Sequence, residues 1–153
     1  MTALLVLAHT GIAAIWLGAM AYSLLVVQPR TERFLGDPQR YEELAAMLAA
    51  GARWKVLGMM AALGVTGAGL VWLAATAEPA PSAWWITLVA TKSMLLAASL
   101  VLFWFVSWRL WPRRLFALPD ELPAIRRRFR LVAVALTATV AANFALGVLA
   151  AHG

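Results

Sequence analysis

The chain has no cysteine and only two histidines, His9 and His152. The first absence removes disulfides, thiolate metal sites, a cysteine nucleophile and iron–sulfur clusters. It also leaves the redox compartment unreadable from thiol usage. The second rules out a multi-histidine zinc or copper cage within one chain. Charge is scarce as well: 13% of the 153 residues are charged, against about 25% in soluble domains. The hydrophobic fraction is 63%, against roughly 45–50%. A water-soluble enzyme of this length is not expected, and neither is a disordered chain. There is no Gly-rich phosphate loop and no His-Glu-x-x-His motif, and no long apolar run holds a carboxylate. Paired-carboxylate chemistry inside a bilayer is therefore excluded, and the chain is read as a non-enzyme in preference to an enzyme.

What is present is four apolar runs. Leu4 to Gln28, Val56 to Ala77 and Leu131 to Ala151 carry no charge, and Trp84 to Trp108 carries only Lys92. A membrane-spanning helix needs about 20 apolar residues, so all four qualify. The first run has no basic residue before it and is too long for a signal peptide, so it is expected to be a retained helix. Every one of the 13 basic residues except Lys92 lies in the first or third connection, and the intervening EPAPSA turn has none. The positive-inside rule places those two connections in the cytoplasm. The same confinement argues against a nucleic-acid-binding face. The prediction is an all-α transmembrane four-helix bundle, up-down-up-down, with both termini periplasmic. It forms one domain over 1–153, with spans near 4–28, 56–77, 84–108 and 131–151, as a multi-pass protein of a bacterial inner membrane.

The connections carry their own signals. Asp37-Pro38 predicts an N-cap followed by proline at the first helical position. Tyr41, Leu44, Met47 and Leu48 then share a face, as in a short amphipathic helix at the membrane interface or a plain helical extension into water. Pro112, Pro119 and Pro123 are expected to break the third connection. Arg126, Arg127, Arg128 and Arg130 anchor topology or attract anionic headgroups. Glu32, Asp37, Glu42, Glu43, Asp120 and Glu121 are read as solvated loop charge. Trp54, Trp84, Trp85, Trp108 and Trp111 flank the spans as interfacial aromatics do. Small residues in the second and fourth spans permit close helix packing.

Polar residues inside the spans carry the functional reading, because a charge in hydrocarbon costs at least ~2.5 kcal/mol. At 1.5 Å per residue, His9 lies roughly 9 Å below the outer boundary, Lys92 about 12 Å and Asn143 roughly 10–12 Å. Three polar side chains on three helices thus share one layer, with Thr10, Thr91 and Ser93 at similar depth. A neutral imidazole ligates copper, zinc or haem iron. A lysine in a low-dielectric site holds a carboxylate such as a haem propionate. The plainer alternative makes His9 and Asn143 interhelical hydrogen-bond partners and lets Lys92 snorkel or pair with Glu78. A weaker pattern runs from His9 through Met94 to Met20 and Met60, a thioether ladder suited to monovalent copper or simply core filling.

The run His9-Thr-Gly-Ile-Ala-Ala-Ile-Trp16-Leu17-Gly18 resembles the first helix of the copper resistance protein D family. Arg53-Trp54, the segment ending at Thr66-Gly67, and Ala90-Thr91-Lys92 resemble the openings and small-residue stretch of that family's next helices. The chain is also similar to the HemJ-type protoporphyrinogen oxidases in His9, Trp16, Tyr22 and Lys92. It departs from them at Ser23-Leu24-Leu25, where Leu-Pro-Arg is expected, and in lacking a second histidine near Trp104 and Trp108. The first resemblance implies a permease-like membrane protein working with a periplasmic copper carrier; the second implies haem b and porphyrinogen oxidation. The expected site has His9 as principal ligand, Lys92 as electrostatic partner, Trp16 as a wall, Asn143 orienting the ligand and Met94 as a further copper donor. The cofactor is copper, haem b or none. A rival is a non-catalytic accessory subunit of a larger respiratory or photosynthetic membrane complex, with lipid its main partner and nucleic acid none.

Overall fold

Absence of charge does not set where these helices end. A computed structural model describes residues 2–152, and the side chains of residues 2–150. Five helices make up its regular structure: α1 (Thr2–Leu35), α2 (Pro38–Ala49), α3 (Ala52–Ala75), α4 (Ala83–Leu115) and α5 (Leu122–His152). All but α2 are long and apolar enough to cross a bilayer. Each of these four overshoots its expected span at the arginine-bearing end. α1 continues past 28 to Leu35, α3 starts at Ala52, α4 runs to Leu115, and α5 begins at Leu122 instead of 131. Arginine and glutamate are good helix formers, so a helix leaving hydrocarbon has no reason to stop where charge begins. Gly36, at φ 61°, ends α1 in the left-handed conformation that glycine adopts without steric cost.

Two prolines are absorbed inside helices, contrary to the expectation that Pro112 interrupts the chain. A single wide turn with i→i−5 bonding precedes each: Ser23–Val27 before Pro29, and Val106–Leu110 before Pro112. In α4 the Trp111 N–H bonds to the Val106 carbonyl. The next donor in that register belongs to Pro112, which has no N–H. The Ser107 carbonyl is left without a helical partner, and the Arg53 guanidinium of α3 donates to it at 2.5 Å. The same guanidinium lies over the Trp108 ring, 4.5 Å from its centroid. Arg53→Leu strands a carbonyl and loses a cation–π contact. It should lower stability by about 1–3 kcal/mol, read as a lower thermal unfolding midpoint in detergent.

Packing follows the small residues. α1 packs against α3 and α5, and α5 against α4. Trp16, Met60, Leu63, Phe103, Leu136 and Val140, drawn from all four long helices, form the central core. The outside of the bundle is apolar: Leu4, Leu7, Ile15, Leu25, Val65, Trp72 and Val101 are all exposed. Such continuous apolar surface is stable against lipid and not against water. Within the long helices Thr87, Thr91, Ser93, Ser99, Thr137 and Thr139 return their hydroxyl protons to the carbonyl four residues back. No buried side-chain polar atom lacks a partner among the described residues.

The arginine-bearing end is not a loose charged fringe. Asp37 caps α2 as expected, its carboxylate accepting from Gln39 N–H at 2.8 Å. Tyr41 and Leu44 turn partly inward, while Met47 and Leu48 stay exposed. Glu42, expected to be solvated, instead takes a bidentate pair of bonds from Arg114 at 2.7 and 3.1 Å and another from Arg126 Nε at 2.6 Å. Arg114 is only 8% exposed, and its guanidinium also stacks near Phe129, Trp111 and Tyr41. Arg126 reaches the Pro38 carbonyl, and Arg126 and Arg130 both pair with Glu32 of α1. The network ties α1, α2, α4 and α5 together. The expectation of free loop charge fails at Glu42 and Glu32, and not at the exposed Asp37, Glu43, Asp120 and Glu121, because linear sequence shows how many charges a loop has and not which ones the helix ends bring face to face.

Candidate functional site

At the end opposite the arginines, two polar couples form across helix pairs. His9 on α1 places Nδ1 2.8 Å from the Thr66 hydroxyl oxygen of α3. The Thr66 hydroxyl proton is committed to the Ala62 carbonyl, 2.6 Å away. Thr66 therefore accepts and His9 Nδ1–H donates, which leaves the lone pair on Nε2. Gly67 eases the contact: a Cβ there would lie 3.3 Å from the imidazole Cε1, and the ring would have to give by a few tenths of an ångström.

The second couple joins α4 and α5. Asn143 donates from Nδ2 to the Lys92 carbonyl at 3.0 Å. The Lys92 ammonium lies against the backbone of Gly147, where a Cβ would come within 2.9 Å of Nζ. Any larger residue at 147 would push the lysine head away. Neither His9 Nε2 nor Lys92 Nζ has a hydrogen-bond or ion-pair partner among the described residues, and neither atom is sealed inside the protein. The alternative pairing of Lys92 with Glu78 does not form; the ion pairs of the described residues all lie at the arginine-bearing end.

The other expected participants are distributed differently. Trp16, seven residues after His9 on α1, is in the core at 3% exposure, about two turns below the imidazole. Met60 joins it there and Met20 packs against the same cluster. Met94 points outward at 73% exposure and is not brought to His9, so the thioether ladder is broken at its first rung. Thr91 and Ser93 bond to their own helix, and Thr10 is exposed. The hydroxyl that matters is Thr66, which depth counting missed. Counted from Ala77, where the expected span ends, it lies roughly 16 Å deep. That is more than a turn below His9. Counted from the observed helix ends, Thr2 and Ala75, His9 and Thr66 lie roughly 10 and 14 Å in, a difference that side-chain reach spans. The signal available was the polar Thr66 beside Gly67 in an otherwise apolar run.

Among the described residues, no group of three or more His, Asp or Glu side chains can hold a metal ion. No protein-family model, curated protein or solved structure matches the chain.

Proposed function

We propose that the chain is a multi-pass bacterial inner-membrane protein that binds haem b between His9 and Lys92, near the periplasmic face. Its arginine-bearing connections lie in the cytoplasm and both termini outside. The distribution of arginine and lysine supports the orientation. The resemblance to the copper resistance protein D and HemJ-type families fits the same reading. One observation carries the ligand choice: an imidazole with a free Nε2 and a cation with no counter-charge share one end of one bundle.

That combination discriminates between the two cofactors. A copper ion needs several soft or nitrogen donors, and this site offers one imidazole, no thioether and a neighbouring positive charge that repels a cation. Haem needs one axial nitrogen and gains from a cation beside its carboxylates. Without cysteine there is no thioether attachment, so the group is held non-covalently. His9 Nε2 would hold the iron and Lys92 the carboxylates; haem when bound supplies one-electron chemistry. Thr66 fixes the imidazole tautomer and ring plane, Asn143 tethers the backbone from which Lys92 projects, and Gly67 and Gly147 leave room for both side chains. Loss of such an outer-shell partner costs 10–100-fold in metal affinity. Thr66→Val, which keeps the shape and removes the acceptor, should therefore weaken haem binding by at least about tenfold in a spectrophotometric titration.

The test is the absorption spectrum and metal content of protein purified from membranes. About one haem per chain, with a Soret band and no copper, is expected. Stoichiometric copper without a Soret band would overturn the proposal in favour of copper handling. Neither group, with migration only as part of a large complex, would overturn it in favour of an accessory subunit. If haem is retained, porphyrinogen turnover in the same membranes decides whether the bound group serves oxidation.

A further inference from the structure

Beside the loop joining α4 to α5 lies a shallow, open cleft of about 500 Å³, lined by Arg113, Phe116, Glu121, Ala124, Ile125 and Arg128. We infer that this cleft is a binding site for one anionic phospholipid headgroup, its phosphate held between Arg113 and Arg128. The cleft lies at the end of the bundle opposite His9 and Lys92 and shares no residue with that site.

Charge comes first. Of the neighbouring arginines, Arg114 and Arg126 are engaged by Glu42 and Arg130 by Glu32, while Arg127 lies outside the cleft. Arg113 and Arg128 are exposed and take part in no hydrogen bond or ion pair among the described residues. The one acid in the cleft, Glu121, turns its carboxylate toward the loop, where it accepts from Leu118 N–H at 3.3 Å. Two free guanidiniums thus face a space with no committed counter-charge, and a guanidinium fork matches phosphate oxygens bidentately.

Depth decides the source of the phosphate. The apolar run of α4 ends at Trp108, so Arg113 lies roughly 7 Å beyond it along the helix. Arg128 precedes the apolar run of α5, which starts at Leu131, by roughly 5 Å. The headgroup layer is about 5–8 Å thick on each side of the hydrocarbon. Both arginines fall at phosphate depth in the leaflet of the arginine-bearing end. The apolar part of the lining points the same way. Phe116 is 86% exposed and outside any helix, beside Ala124 and the half-buried Ile125. A soluble phosphate has no use for that surface, whereas a glycerol backbone and the top of an acyl chain cover it. Basic pockets between membrane helices bind lipid headgroups in this manner.

The test is native mass spectrometry of the full chain in detergent, titrated with phosphatidylglycerol, phosphatidylcholine or inorganic phosphate. One phosphatidylglycerol is expected to bind in preference to phosphatidylcholine, and inorganic phosphate is expected not to compete at millimolar concentration. Arg113→Gln with Arg128→Gln should weaken that binding about 30-fold, from roughly 1 kcal/mol per basic residue. Arg127→Gln, outside the cleft, should change it by less than about threefold on the same scale. Arg113→Lys with Arg128→Lys keeps both charges but loses the bidentate fork, so it should bind more tightly than the glutamine pair and less tightly than the native chain, which separates a site defect from a folding defect. Weakening by Arg127→Gln equal to that by Arg113→Gln or Arg128→Gln taken singly would overturn the proposal in favour of diffuse charge. Equal phosphatidylcholine binding, or displacement of the lipid by inorganic phosphate, would overturn it as well.

Discussion

Glu42→Leu is expected to cost about 3–5 kcal/mol of stability, the range seen when one partner of a buried ion pair is removed. Arg114 is almost fully buried, and Glu42 is its only carboxylate among the described residues. Removing Glu42 leaves that guanidinium among Phe129, Trp111 and Tyr41 with no counter-charge, and deprives Arg126 of its shortest bond. The double change Glu42→Leu with Arg114→Met should cost less than Glu42→Leu alone, because a buried pair replaced together is often close to neutral. A double change as costly as the sum of its parts would show that the pair is not coupled. Acid should mimic the single change. Burial pushes the Glu42 carboxyl up, but the Arg114 hydrogen bond and charge, followed by those of Arg126, outweigh it and leave the group below its ordinary value. A carboxyl lowered on folding contributes stability above its unfolded value, about 4.3. That contribution is lost as pH falls through the lower folded value. The gap in unfolding temperature between the native chain and Glu42→Leu should therefore be full near neutrality and shrink below about pH 4.

Lys92→Met is the second large effect, and its sign separates the two cofactors. The substitution keeps the length and removes the charge. A hydrogen bond to a charged group contributes about 1.5–3 kcal/mol. Haem affinity should therefore fall roughly 10–150-fold, and haem dimethyl ester, which has no carboxylates, should bind the native chain and the variant alike. A site for copper would respond in the opposite direction, since the variant removes a repelling charge and adds a thioether. Equal haem affinity in both proteins would show that Lys92 is not the carboxylate partner.

The four apolar helices were legible in the sequence because twenty or more residues without charge have few other uses. The Asp37 cap was legible because its chemistry is local. The helix ends were not, because Arg30 to Leu35 and Arg109 to Leu115 are as helix-competent as the runs before them. Nor was the burial of Glu42, which depends on Arg114 and Arg126, residues 72 and 84 positions away. At the opposite end, counting depth brought out His9, Lys92 and Asn143. It could not find Thr66, because rise along an axis carries no information about tilt or about which face of α3 meets α1. It also could not turn Met94 outward: orientation about a helix axis is invisible when nearly every neighbour is apolar. The hydrogen bonds His9–Thr66 and Asn143–Lys92 pair α1 with α3 and α4 with α5, a pairing that depth alone does not give.

The most direct test of the central claim is a haem titration of apoprotein in detergent, followed at the Soret band, for the native chain and His9→Ala. The account predicts saturation at one haem per native chain and no Soret-shifted complex with His9→Ala, in protein whose circular dichroism and thermal transition are otherwise unchanged. Saturation of His9→Ala at the same stoichiometry and affinity would contradict it.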